Sequence, residues 1–223
     1  MVDGPFPIRG EILDAHARVL EHWASPGTWW TGAERLAIVV ESRRARAADP
    51  FPPWVAPSSM PGVIAEDHLL PTPAIDAVWR LAVHPGSLTE AWYRGVVDAG
   101  LDPERYVELV AIVATAAAVD HFAAALSLEA PDLPAPAAGE PSRQRPEASV
   151  ARHWVPTVDD GGAMVLQALS LVPAEEAARA MLSAAQYVPP QSFFDMAYTR
   201  DGLDRMQIEL VAARTSILNE CFY

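Results

Sequence analysis

The stretch "DPERYVELVAIVATAAAVDHFAAALSL", residues 102–128, decides how the rest of the chain is read. Asp102 can cap a helix and Pro103 suits the first helical position; no further proline or glycine interrupts the run before Leu128. Its apolar residues are too continuous for the single stripe of a surface helix. The segment therefore predicts a helix buried on most sides, at the centre of the fold.

Working outward, apolar residues recur at three- and four-residue spacing in most windows, alanine is abundant and β-branched alternation is scarce, which predicts an all-α protein. Ile12, Ala15, Val19 and Trp23 mark one stripe of a first helix stopped by Ser25-Pro26-Gly27. A second helix starts after Thr31, a candidate cap, and ends by Asp49-Pro50. Shorter helices are expected at 73–82 and 88–99, the latter closed by Gly100, and later ones from Pro173 and through "LDRMQIELVAARTSILN". Residues 129–149 hold five prolines and little to bury, so the expected division is a helical domain at 1–128, a linker at 129–150 and a helical half at 151–223.

Charge and composition exclude several chemistries. The net charge of −13 comes from 29 acidic and 16 basic residues, which argues against a nucleic-acid partner. Every basic residue is arginine, so Schiff-base lysines, a P-loop lysine and a Ser-Lys pair are all absent. No run is expected to reach the roughly 18 apolar residues of a membrane span, and the first ten residues have neither a basic leader nor an apolar stretch. With one cysteine, the sequence predicts a soluble cytoplasmic protein with no membrane association. No cofactor or metal motif is found: His16 and His22 are six residues apart, on different helix faces, and there is no Cys-x-x-Cys.

Three helical segments look alike, beginning at Ala33, Val107 and Ile208, each with a glutamate ahead of an apolar run. The last two superpose with Glu108 on Glu209 and Leu109 on Leu210, which suggests a repeated helical unit. The final segment, "QIELVAARTSILNECFY", resembles the active-site helix of the AhpD-like alkylhydroperoxidase and carboxymuconolactone decarboxylase superfamily. Its thiol branch carries a glutamate, then Cys-x-x-Cys twelve residues later, then a histidine. "PGTWWTGAERLAIVVESRRAR" and "LTEAWYRGVVDAGLDPERYVELVAIV" are similar to segments of its duplicated members. The resemblance implies an AhpD-like helical fold, Glu209 as proton acceptor and Cys221 as the first redox cysteine, with a hydroperoxide as substrate and an external thiol as reductant. It also implies that the motif stops short at Cys221, so peroxidase turnover is expected to be weak or lost. The natural reading frame continuing past Tyr223 is one account of that stop.

On a straight helix, twelve residues separate Glu209 from Cys221 by about 18 Å, so the chain has to break, and Asn219 offers the break. In the middle segment Asp120 and His121 stand where Cys221 and Phe222 do, and Glu108, Asp120 and His121 form a candidate secondary polar cluster. Glu34-Arg35 reads as an ion-pair site between helices, Trp29-Trp30 as core anchors, and His68, His84 and His153 as solvent-facing. The rival expectation is a noncatalytic helical scaffold or binding module, working as a homo-oligomer.

Overall fold

The computed structural model describes residues 7–48, 55–147, 149, 152–159 and 167–219. Among these the chain is mostly helical, with α1 (Gly10–Ala24), α2 (Gly32–Ala47), α3 (Thr72–Val83), α4 (Glu90–Asp98), α5 (Pro103–Ala125), α6 (Pro173–Gln186) and α7 (Arg205–Leu218). Among the described residues the β structure is an isolated bridge at Thr157 and a hairpin of two two-residue strands, β1 (Thr199–Arg200) and β2 (Leu203–Asp204). Its turn residues Asp201 and Gly202 have φ of 50° and 85°, the two positive values that a type I′ turn requires and that Asp-Gly supplies cheaply.

Local chemistry sets the helix starts. The Thr31 side chain accepts from Glu34 N while Glu34 Oε2 accepts from Thr31 N at 2.8 Å, a reciprocal capping box that opens α2. Asp102 accepts from Arg105 N at 3.0 Å and Pro103 takes the first position of α5. Gly100, at φ 101°, supplies the left-handed residue between α4 and α5. Asp204 opens α7 with a second capping box to Gln207.

The stripe Ile12, Ala15, Val19 and Trp23 turns α1 onto α6 and α2, and full burial of side chains such as Val19 contributes about 1.5–3 kcal/mol each. At the centre lies α5, packed against α2, α3, α6 and α1, with Leu109, Ile112, Ala116 and Val119 at 0% exposure. The expectation about apolar runs needs correction here: by length and composition α5, 23 residues long, could cross a membrane. Its apolar content is instead accounted for by burial, since the core encloses it on most sides. Core residues after the proline-rich segment, among them Leu171, Val172 and Leu182, join the same cluster.

The segment from 129 to 147 has no regular structure but is pinned to the turn between α1 and α2. Ala137 N donates to Ala24 O (2.8 Å), Ser142 N to Gly27 O (3.0 Å) and Arg143 N to Thr28 O (2.9 Å). At the other end of the molecule, Arg200 donates to the carbonyls of Ala184, Ala185 and Tyr187, tying the hairpin to the last turn of α6. That hairpin carries α7, whose inward residues Arg205 and Ile208 are buried.

Candidate functional site

Helices α1, α2, α5 and α6 converge on a buried ionic centre built around Arg35, which is wholly buried together with Glu108 and almost wholly with Glu175. Arg35 Nη1 donates to Glu108 Oε1, and to Glu175 Oε1 at 2.7 Å. Trp29 N donates to Glu108 Oε2 at 2.6 Å, and His22 Nε2 lies 2.8 Å from Glu175 Oε1. Gly27 is required beside it, because a Cβ there would collide with Glu108 Oε1 and Arg35 Nη1.

One guanidinium thus serves two carboxylates whose proton affinities move apart. Burial pushes the Glu108 carboxyl up, and the neighbouring Glu175 adds to the rise against the pull of Arg35. For Glu175 burial acts the same way but is outweighed by the hydrogen bond with His22 and the charge of Arg35, which hold it below the ordinary value. Among the described residues Arg35 Nε and Nη2 have no partner, so there the centre is polar and incompletely paired. The centre lashes four helices together. Among the described residues no group of three His, Cys, Asp or Glu side chains is set to hold a metal.

The remaining nominated residues fall in separate places. Asp120 binds Arg43 through two bonds of 3.1 and 2.8 Å and Arg46 Nη2 at 2.5 Å, twelve residues along α5 from Glu108. His121 is exposed, so Glu108, Asp120 and His121 are not gathered into one cluster. Glu34 caps α2 through Oε2 while its Oε1 lies 3.9 Å from Arg105 Nη2 of α5, and Arg35 likewise joins helices through ion pairs. Trp29 and Trp30 are core residues at 6% and 0% exposure. His68 is not solvent-facing: its side chain is 16% exposed and lies 3.2 Å from Glu41, which also accepts from Trp79 Nε1 at 2.7 Å.

Glu209 sits in the second turn of α7, where its Oε1 accepts from the Tyr187 hydroxyl at 2.6 Å and from Arg205 Nε at 2.7 Å. Beside it runs a groove of about 560 Å³ lined by Tyr187, Arg200, Leu203, Ile208, Val211 and Ala212 among others. The helix does end at the expected place, since α7 stops at Leu218 and Asn219 caps it, its Nδ2 donating to Thr215 O at 2.9 Å. Cys221 lies outside the described residues.

Sequence reasoning missed Glu175 as a partner of Arg35, His22 as a partner of Glu175, and Arg43 and Arg46 as partners of Asp120. Only the presence of charged residues inside apolar helical stripes hinted at them, and nothing in the spacing says which pairs with which. Comparison of the chain with protein-family models, curated proteins and solved structures finds no match.

Proposed function

We propose that this protein is a noncatalytic helical association module of the alkylhydroperoxidase-related type, one in which thiol peroxidase activity is weak or lost. The observation that supports this reading is where the nominated acids spend their charge. Glu108 is committed to Arg35, Asp120 to Arg43 and Arg46, and Glu209 to Tyr187 and Arg205. Each of the three thus serves to tie one helix to another part of the fold, which is the work of a scaffold.

The test is consumption of an organic hydroperoxide with dithiothreitol as reductant. The 223-residue chain and its Cys221→Ser variant are expected to match the buffer rate. Turnover that depends on Cys221 overturns the reading.

The groove beside Glu209 favours one alternative, reduction of a small apolar hydroperoxide at Cys221. In that reaction the Cys221 thiolate attacks the distal peroxide oxygen, the O–O bond breaks and the alcohol leaves with a proton, giving a sulfenic acid. One external thiol then condenses with it, releasing water, and a second thiol frees the cysteine as an external disulfide.

A further inference from the structure

We infer that α7 is a dimerisation helix that pairs in parallel with α7 of a second copy of this chain. Of thirteen exposed large apolar side chains among the described residues, nine lie between Phe193 and Leu218. Met206 is 72%, Leu210 71% and Ile217 68% exposed, although Leu109, which Leu210 matches in the α5 segment, is at 0%. Scattered surface leucines need no explanation, but a patch this concentrated does.

The pattern specifies the occupant. Met206, Leu210, exposed Ala213 and Ile217 recur at steps of four, three and four, and at 3.6 residues per turn they fall within an arc of about 60°. That is the seam of a two-helix coiled coil, with Leu210 and Ile217 in one class of seam position and Met206 and Ala213 in the other. Glu209 and Arg214 flank the seam on opposite sides. In a parallel pair a flanking residue meets the one five places further along the neighbouring helix, so Glu209 faces the partner's Arg214, and Arg214 the partner's Glu209.

Glu209 keeps one oxygen for this beyond its contacts with Tyr187 and Arg205. Glu209 Oε2 has no partner among the described residues and its side chain is 41% exposed, while exposed Arg214 makes no ion pair there. The seam is also the place where two copies of an acidic chain can meet: the chain carries −13, yet α7 has Arg205 and Arg214 against Glu209 alone.

At 14 residues the helix is too short to hold a coiled coil by itself, but the hairpin already braces it. Exposed Phe194 and Met196 beside it, at 89% and 67%, enlarge the patch. Without Leu203 and Val211, which line the groove, the remaining seven at ~100 Å² each come near the roughly 800 Å² per partner of a standard interface.

The pairing rests on the association-module reading, yet the two fail separately. Cys221-dependent peroxide consumption by a dimer sinks only that reading, and a catalytically silent monomer sinks only the pairing.

Light scattering of the 223-residue chain at on the order of 100 µM is expected to give twice the 24.1 kDa chain mass, and Leu210→Glu to return it to one. Glu209→Lys and Arg214→Glu are each expected to weaken self-association at least tenfold, and their mixture to restore a heterodimer, with circular dichroism verifying retained helix in both.

In a Cys221→Ser background, Ala213→Cys is expected to cross-link to its copy under oxidised glutathione at least tenfold faster than Thr215→Cys, which lies on the groove side. A mass other than that of two chains, no restoration on mixing, or equal cross-linking at the two positions overturns the proposal.

Discussion

Arg35 Nη1 lies 2.7 Å from Glu175 Oε1 across 140 residues of sequence, and the same nitrogen donates to Glu108, so a single wholly buried guanidinium joins α2, α5 and α6. His22 adds α1 from the other side of Glu175. The geometry makes this centre a requirement of the fold rather than a contributor of net stability. Burying the charges costs several kcal/mol per ion, which their mutual attraction about offsets, but removing one partner leaves the cost uncompensated.

Arg35→Met is therefore expected to destabilise the protein by about 3–5 kcal/mol, measured by urea unfolding, because it leaves Glu108 and Glu175 buried without their cation. Adding Glu108→Gln and Glu175→Gln is expected to recover much of the loss. If the single variant costs no more than an ordinary surface change, the centre does not hold the helices together.

Gly27→Ala tests the same centre from the backbone side. The added methyl would enter the space of Glu108 Oε1 and Arg35 Nη1. Neither can withdraw without breaking a buried charge contact, so the expected cost is about 1–3 kcal/mol in the same assay. Gly95, inside α4, is the control, because a methyl added there would meet nothing within 4 Å. Gly95→Ala is expected to be neutral or stabilising.

How much of this is legible in the sequence follows from the range of each signal. Thr31, Asp102 and Pro173 announce helix starts because a cap acts within three residues, and the stripe from Ile12 to Trp23 announces a buried face because its period is local. The centrality of α5 is readable for the same reason. The hairpin at 199–204 carries an Asp-Gly signal, but its strands are two residues each, too short to show an alternation between the helical patterns on either side. The ionic centre has no local signal at all: His22, Arg35, Glu108 and Glu175 meet only after four helices pack, and their sequence separations carry no period. Likewise the match of Leu210 to Leu109 says nothing of burial: Leu109 is at 0% exposure and Leu210 at 71%.

Opposed shifts at the two central carboxyls predict a pH signature. Glu175 is depressed below 4.5, so its contribution to stability is present above that value and is lost as pH falls through its folded pKa. Glu108 is raised, so the folded state retains its proton longer than the unfolded one, and that contribution is lost as pH climbs from 4.5 through its folded pKa. In urea titrations across pH, Glu175→Gln is expected to flatten the acid-side decline and Glu108→Gln the decline above 4.5. Parallel profiles for wild type and both variants would show that neither carboxyl is perturbed by folding.

Tyr187 offers the most direct check on the state of Glu209. Its hydroxyl is pushed up to about 12, by burial first and then by the hydrogen bond it donates to Glu209 and the charge of that carboxylate, against a smaller opposing effect of Arg205. Ionising the phenol removes the donor and sets two negative charges side by side, so the tie between α6 and α7 is secure below pH 10 and is lost as pH rises toward 12. Phenolate absorbance, assigned by difference against Tyr187→Phe, is expected to show this tyrosine titrating near 12, and Glu209→Gln to move it down toward the ordinary 10.0. A Tyr187 that titrates at its ordinary value in the folded protein, or that Glu209→Gln leaves in place, would mean Glu209 is not held by this contact. Its carboxylate would then be free for the proton-accepting role beside Cys221 that the association-module reading denies it.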